Sequence, residues 1–120
     1  MSTTSSQSST SGSYSNSGSL HLGEQELVSG FQALSDPLRI QIIEQLREAE
    51  LCVCELCEQL DLGQSRLSFH LKILRNASLV KSRSQGRWMY YRLNLAQFIV
   101  LEEYLAEFRR YPLLPARKCK

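Results

Sequence analysis

The chain has 120 residues, of which 42% are hydrophobic and 22% are charged, and its formal net charge is +2. No apolar run approaches the roughly 20 residues that a membrane-spanning helix requires, so no membrane partner is expected. A chain of this size fits one small domain, which buries a limited fraction of its surface and therefore favours association into a homodimer.

The two ends of the chain look different from its middle. Residues 1–22 are rich in Ser and Thr and are predicted to form a disordered tail. They lack the features of a secretory signal or a transit peptide, so a cytoplasmic location is expected. Residues 111–120 contain two prolines and three basic residues and are predicted to fray. The folded domain is therefore predicted to span residues 23–110.

Acidic and basic residues are separated along the chain. Residues 24–61 carry nine acidic side chains and two basic ones, whereas residues 62–101 carry seven Lys and Arg and no Asp or Glu. A solvated basic face normally mixes both signs of charge. A set of bases without acids is typical of a surface that binds the phosphates of nucleic acid.

Apolar residues with a helical period open the folded region. Leu27, Phe31 and Leu34 indicate a first helix. Residues 35–37, Ser-Asp-Pro, form a signal for the start of a second helix, with proline at its first position. The apolar positions of this second helix are Ile40, Ile43 and Leu46.

The next two helices form a recognisable pair. A short helix is predicted from about Val53 to Leu60, and a longer one from Gln64 to Asn76, with a break at residues 61–63. A short helix, a tight turn with glycine and an amphipathic helix together are typical of a helix-turn-helix. The residues expected to hold the longer helix to the core are Leu67, Leu71 and Leu74.

A β-hairpin and a last helix complete the domain. The runs 79–82 and 87–93 are β-prone and are separated by a turn signal at residues 84–86. The last helix, predicted from about Leu95 to Arg110, carries two neighbouring apolar stripes, which is more than one core contact needs. The second stripe can be a dimer seam or ordinary core. The predicted dimer-interface residues are Leu27, Phe31, Val100, Tyr104 and Phe108. The predicted fold class is mainly α with a small β-hairpin.

Three cysteines, Cys52, Cys54 and Cys57, lie within six consecutive positions. In a reduced compartment, clustered thiols bind soft ions or do redox work more often than they form structural disulfides. Trivalent arsenic or antimony takes three sulfurs, whereas zinc or cadmium prefers four ligands. In a continuous helix Cys52 would point away from the other two, so binding all three should distort the start of the helix. Cys119, in the C-terminal segment predicted to fray, is expected to be incidental, and a role as a fourth ligand is the alternative.

Four segments carry a resemblance to a known family: residues 34–39, 50–57, 64–74 and 85–93. Together they resemble the ArsR/SmtB family of metal-responsive winged helix-turn-helix repressors, and most of all the arsenical-resistance repressors, over roughly residues 24–109. The inducer site of those repressors is a Cys-Val-Cys-x-x-Cys run before the recognition helix. The resemblance implies a homodimer that holds operator DNA and releases it on binding arsenic(III) or antimony(III), without a catalytic cofactor.

The first turns of the longer helix are expected to meet base edges in the major groove, where Gln suits adenine and Arg suits guanine. Gln64 and Arg66 are the predicted base readers. Ser68 and His70 are expected on the same exposed side, and the resemblance matches them to positions that the family uses for DNA. For His70, a neutral histidine in the core is the alternative. Phe69 is expected to pack against the protein. The predicted DNA-binding residues are Gln64, Ser65, Arg66, Ser68, His70, Arg75, Arg83 and Arg87.

Several alternatives compete with the arsenic interpretation. Cadmium, lead or zinc sensors of the same family use cysteines in an N-terminal arm or Asp and His on the last helix, but residues 1–23 contain no cysteine and residues 95–110 contain no His or Asp. A constitutive DNA-binding protein with a structural zinc on the thiols is an alternative from another class. An oxidoreductase use of Cys54 and Cys57 requires a βαβ context that the helical pattern does not supply, so no enzyme is expected.

Overall fold

The computed structural model describes residues 22–119, apart from the side chain of Leu22. In chain order its elements are α1 (Leu22–Ala33), α2 (Pro37–Gln45), β1 (Leu51–Cys52), α3 (Val53–Leu60), α4 (Gln64–Asn76), β2 (Val80–Gln85), β3 (Trp88–Leu93) and α5 (Leu95–Arg110). The predicted disordered tail, residues 1–22, lies outside the described residues except for Leu22, where α1 begins. Residues 111–119 form neither helix nor strand and are exposed.

The core lies where α2, α3 and α4 meet. Ile42 of α2 and Leu56 of α3 are fully buried, and α4 contributes the buried Leu67, Leu71 and Leu74, as predicted. Burial of one such side chain contributes about 1.5–3 kcal/mol. The packing therefore fixes α4 firmly against α2 and α3 and leaves the opposite side of α4 open.

The start of α2 follows from its capping residue. Asp36 accepts hydrogen bonds from the backbone N–H groups of Leu38 and Arg39 at 2.9 and 3.2 Å, and a proline occupies the first helical position. Partial burial raises the pKa of the Asp36 carboxyl, but these hydrogen bonds and the Arg39 charge outweigh it and leave the pKa lowered. The core stripe of α2 differs from the expectation, since Ile42 is buried and Ile40 is 40% exposed.

The sheet has one strand more than the predicted hairpin. Its order is β1-β3-β2, with both pairs antiparallel. In the added pair, Leu51 lies opposite Tyr91 and Cys52 lies opposite Tyr90. The cysteine segment and the hairpin, which is the wing of the domain, therefore belong to one sheet.

The hairpin itself is longer than predicted on one side and has a tighter turn. Strand β2 runs to Gln85, beyond the predicted end at Ser82, and the loop consists of Gly86 and Arg87. Gly86 has φ +63, a conformation that glycine adopts without steric cost. This turn puts the Arg87 side chain at the tip of the wing.

Helices α1 and α5 pack side by side. A Cβ atom on Gly30 would come within 2.9 Å of Leu101 Cδ2, so glycine allows the close approach of the two helices there. Leu101 faces the core and is 4% exposed. Among residues 22–119, no helix is both long enough and apolar enough to cross a membrane.

Candidate thiol site and DNA-binding surface

Cys52 joins the sheet to helix α3. It ends β1 and is the N-cap residue of α3, with extended backbone angles of φ −83 and ψ 163. Its backbone N–H donates a hydrogen bond to Glu55 Oε1 at 2.9 Å. The helix therefore does not run through all three cysteines, because it begins at Val53.

The sulfur atoms of Cys52 and Cys54 are in direct contact. Their Sγ atoms face each other across the start of α3. The Cys52 side chain is buried, whereas Cys54 is exposed and Cys57 is partly buried. The hydrogen bond with Cys54, together with burial, raises the pKa of the Cys52 thiol.

Cys54 and Cys57 open onto a cleft of about 600 Å³ between α3 and the wing. Its wall includes Gln64 at the start of α4 and Trp88 and Met89 of β3. Across residues 22–119, no group of three or more His, Cys, Asp or Glu side chains is arranged to hold a metal ion. The donor atoms suit a thiophilic ion in type, but the three cysteines are not preassembled. Cys119 is exposed in the C-terminal segment.

The last cysteine of the cluster is connected to the start of α4. The carbonyl oxygen of Cys57 accepts a hydrogen bond from Leu62 N–H at 3.0 Å. The turn needs Asp61 in the left-handed conformation, with φ 53, and leads directly to Gly63, the N-cap residue of α4. A displacement of Cys57 therefore acts on the turn that sets the position of α4.

The outer side of α4 carries most of the polar residues predicted to contact DNA. Four predicted residues in its first turns are exposed, and so is Arg75 near its end. Nη1 of Arg75 lies 3.5 Å from Ser82 Oγ of the wing. Arg87 is exposed at the wing tip. The exposed residues of the predicted set on α4 are Gln64, Ser65, Arg66, Ser68 and Arg75.

The expectation that His70 is exposed is wrong. Its side chain is 8% exposed, and its Nδ1 lies 3.1 Å from Nη1 of Arg39. His70 lies three residues after Leu67 and four before Leu74, on the buried stripe of α4. The expected packing of Phe69 is wrong too, because Phe69 is 62% exposed on the side that His70 was expected to occupy. Of these two neighbours, Phe69 and not His70 is therefore exposed on α4.

Arg83 is on the wing as predicted, but a carboxylate already binds it. Its Nε lies 3.0 Å from both carboxylate oxygens of Glu50, and its Nη2 lies 2.7 Å from Glu50 Oε1. These hydrogen bonds lower the pKa of Glu50. The sequence patterns did not single out Glu50 or Arg39, because their partners are 33 and 31 residues away along the chain.

The predicted dimer-interface residues lie together on one apolar face of α1 and α5. The rings of Phe31 and Tyr104 are 6.0 Å apart, and those of Tyr104 and Phe108 are 5.2 Å apart. Phe108 is 70% exposed, and Val100 is also exposed, whereas Leu27 is partly buried. The second half of α5 thus leaves the core and presents its apolar side to the outside.

Known proteins are similar to this chain in both sequence and fold. A family model described as "Bacterial regulatory protein, arsR family" matches residues 36–82. The arsenical resistance operon repressor of Bacillus subtilis (strain 168) is 40% identical over 83 residues, which cover 67% of this chain and 79% of that protein. Its counterpart in Escherichia coli (strain K12) is 46% identical over 65 residues, so the match spans 53% of this chain and only 56% of that relative. The crystal structure of an ArsR family transcriptional regulator superposes with a TM-score of 0.66 at 27% identity, covering 72% of this chain and 89% of that one.

The helix-turn-helix, the three-stranded sheet with its wing, and the basic residues on both define a winged helix-turn-helix regulator of transcription. The extent and identity of the match to the Bacillus subtilis relative establish the family as well. The chain belongs to the ArsR family of bacterial regulatory proteins.

Proposed function

We propose that the chain is a homodimeric repressor that binds operator DNA and releases it when trivalent arsenic or antimony is bound by Cys52, Cys54 and Cys57. The observation that carries this proposal is that the thiols of Cys52 and Cys54 lie side by side at the start of α3, the helix that precedes α4. The names of the Bacillus subtilis and Escherichia coli relatives, both arsenical resistance operon repressors, support the choice of ligand.

Capture of the ion requires a movement of the helix start. A pyramidal arsenic centre needs three sulfurs, and two of them are already neighbours. Cys57 lies three residues after Cys54, on the same side of α3 and on the same cleft. Closing the set brings Cys57 towards the other two sulfurs and distorts the first turn of α3. The spacing predicted a distortion that brings in Cys52, but Cys52 lies outside α3, so the movement falls on Cys57 instead.

The distortion reaches the DNA-reading helix through the connecting turn. Cys57 is hydrogen-bonded through its carbonyl to Leu62, and Gly63 then caps α4. A shift of α4 by a fraction of its diameter misaligns Gln64 and Arg66 with the base edges. Allosteric couplings of about 1–3 kcal/mol, or roughly 5- to 150-fold in affinity, are typical for such switches.

Dimerisation places two reading helices on one operator. The apolar face of α1 and α5 suits a two-fold interface, in which the same patch meets itself. Two α4 helices then enter successive major grooves of a roughly palindromic site, and Arg87 at each wing tip meets the backbone or the minor groove nearby. Cys119, exposed in the C-terminal segment, is left out of the proposed ligand set.

The test is fluorescence anisotropy of labelled operator DNA at fixed salt, titrated with arsenite, antimonite, cadmium and zinc. Arsenite and antimonite should weaken binding by the parent protein, and Cys52→Ser, Cys54→Ser and Cys57→Ser should each remove that effect. Cys119→Ser is the matched control and should respond like the parent.

Three outcomes contradict the proposal. A response to cadmium or zinc without one to arsenite indicates a metal sensor of the same fold. Loss of folding after treatment with a chelator indicates a constitutive DNA-binding protein with structural zinc. Loss of the response in Cys119→Ser alone shows that the ligand set is wrong.

A further inference from the structure

Glu50 connects the thiol segment to the wing through its side chain. It directly precedes β1, and its carboxylate is gripped by the Arg83 guanidinium in a bidentate pair, with N–O distances of 2.7 and 3.0 Å. Arg92 of β3 lies 3.8 Å from the second carboxylate oxygen. A bidentate pair between Arg and a carboxylate fixes direction as well as distance. The side chain of Glu50 is therefore oriented by two strands of the wing.

A second set of contacts closes a ring around this pair. Cys52 lies opposite Tyr90 in the β1–β3 ladder, and Arg83 lies opposite Tyr90 in the β2–β3 ladder. The Arg83 guanidinium stands 4.7 Å above the centre of the Tyr90 ring. The contacts thus form a continuous path that runs from Cys52 through Tyr90 and Arg83 to Glu50. Both ends of the path lie in residues 50–52.

The ion pair matters for position more than for stability. The side chains of Arg83 and Glu50 are 43% and 25% exposed, and pairs at that exposure contribute little to folding. Strand β1 is two residues long and pairs in the sheet only with β3. When Cys52 moves, the grip of Arg83 on Glu50 either breaks or carries β2 along with β1.

We propose that Glu50 is a positioning residue that transmits the movement of Cys52 to the wing, so that inducer binding displaces the wing as well as α4. This inference rests on the proposed function. It adds a second connection between the thiols and the DNA-binding surface. This connection starts at Cys52 and leads to the wing, whereas the first starts at Cys57 and leads to α4. Loss of the pair should uncouple the wing from the thiols without disturbing capture of the ion.

The experiment measures two quantities for each variant. The first is affinity for arsenite without DNA, followed by the ultraviolet absorbance of the arsenic–thiolate bonds. The second is the ratio of operator affinities without and with saturating arsenite, at fixed salt. We expect Glu50→Gln to bind arsenite like the parent and to show a ratio about 2- to 30-fold smaller, which is the range by which residues on a coupling route change coupling.

Matched variants separate coupling from other effects. Glu48→Gln removes an exposed acid two residues earlier and should keep the parental ratio. Arg83→Gln should reproduce the smaller ratio, and the double variant with Glu50→Gln should show no further decrease, because both changes remove the same link. Arg83→Lys keeps the charge but not the bidentate geometry and should also lower the ratio.

The possible failures are distinguishable. A parent protein that keeps its operator in saturating arsenite overturns the proposed function and this inference with it. A parent that releases DNA, with Glu50→Gln releasing it equally, overturns this inference alone. Additive losses in the double variant overturn it as well, since they show that the two residues act separately.

Discussion

The Nδ1 atom of His70 lies 3.1 Å from Nη1 of Arg39, which ties α4 to α2 inside the protein. Arg39 also donates a hydrogen bond from Nε to the carbonyl oxygen of Ala33 at 2.7 Å. Since Arg39 can only donate, His70 accepts at Nδ1 and must be neutral there. A buried histidine is therefore part of the support on which α4 rests.

This contact predicts a loss of stability in mild acid. Burial lowers the pKa of His70; Asp36 opposes this shift, while Arg39 and Arg66 add to it. Between the lowered pKa and the ordinary value of 6.5, the unfolded chain binds more protons than the folded one, so the free energy of unfolding falls as pH falls through this range.

Urea denaturation at pH 7.5, 6.5 and 5.5, at one protein concentration, checks this prediction. His70→Asn should flatten the pH dependence below 6.5, because the variant lacks the titrating imidazole. Parallel pH profiles for the parent and the variant would show that His70 titrates normally and that its burial has no effect on proton binding.

The exposed arginines of α4 and of the wing should differ in what they recognise. Arg66→Ala is expected to lower operator affinity by roughly 5- to 150-fold and to relax the preference at one base position. Arg87→Ala should weaken binding to all sequences alike and should reduce the slope of log affinity against log salt by about one. Anisotropy with the operator and with scrambled DNA over a salt series measures both effects.

A control for these two variants is Arg47→Ala, which removes an exposed arginine of the acidic half that pairs with Glu44. It should leave the affinity and the salt dependence unchanged. Equal effects of Arg66→Ala on the operator and on scrambled DNA contradict the base-reading role of Arg66.

The apolar face of α1 and α5 should be necessary for self-association. Val100→Asp places a charge among side chains that the dimer is proposed to bury, and sedimentation equilibrium should then show a monomer with reduced operator affinity. Leu113→Asp, at a position 96% exposed in the C-terminal segment, is the matched control and should remain dimeric. A dimeric Val100→Asp variant would locate the interface elsewhere.

The turn of the wing should not tolerate a β-branched residue in place of its glycine. Gly86→Val forces a β-branched residue into a backbone conformation with φ +63, at a cost of about 1–2 kcal/mol. We expect a melting temperature lower by several degrees and weaker operator binding, because the Arg87 side chain is displaced. Gln85→Val, at the end of β2, controls for the added branched side chain. Equal melting temperatures for Gly86→Val and the parent would contradict the left-handed conformation of Gly86.

Much of the helical architecture could be predicted from the sequence because the signals are local. The glycine before α4 and the apolar period within it predict Gln64–Asn76, and the structure has the same bounds. The same holds for α5, from Leu95 to Arg110. Strand β1 has two residues, too few to show an alternating pattern, and it could not be recognised in this way.

The site was harder to predict because its contacts join residues far apart in the sequence, and because one of its polar residues, His70, is buried. The spacing of His70 from Leu67 and Leu74 does indicate the buried stripe, but a polar residue there suggests exposure until its partner on α2 is known. The pair of Glu50 and Arg83 joins residues 33 positions apart, for which no local pattern exists. The cysteine spacing indicates a soft-ion site, whereas the sulfur contact depends on where the helix begins.

The shortness of β1 limits how much of the fold is disturbed when the cysteine segment moves. If β1 peels away from β3, two residue pairs are lost, while the six pairs between β2 and β3 persist. The buried leucines of α4 are also untouched, because they pack on α2 and α3. The rearrangement proposed for inducer binding therefore breaks few sheet pairs and leaves the rest of the sheet and the packing of α4 in place.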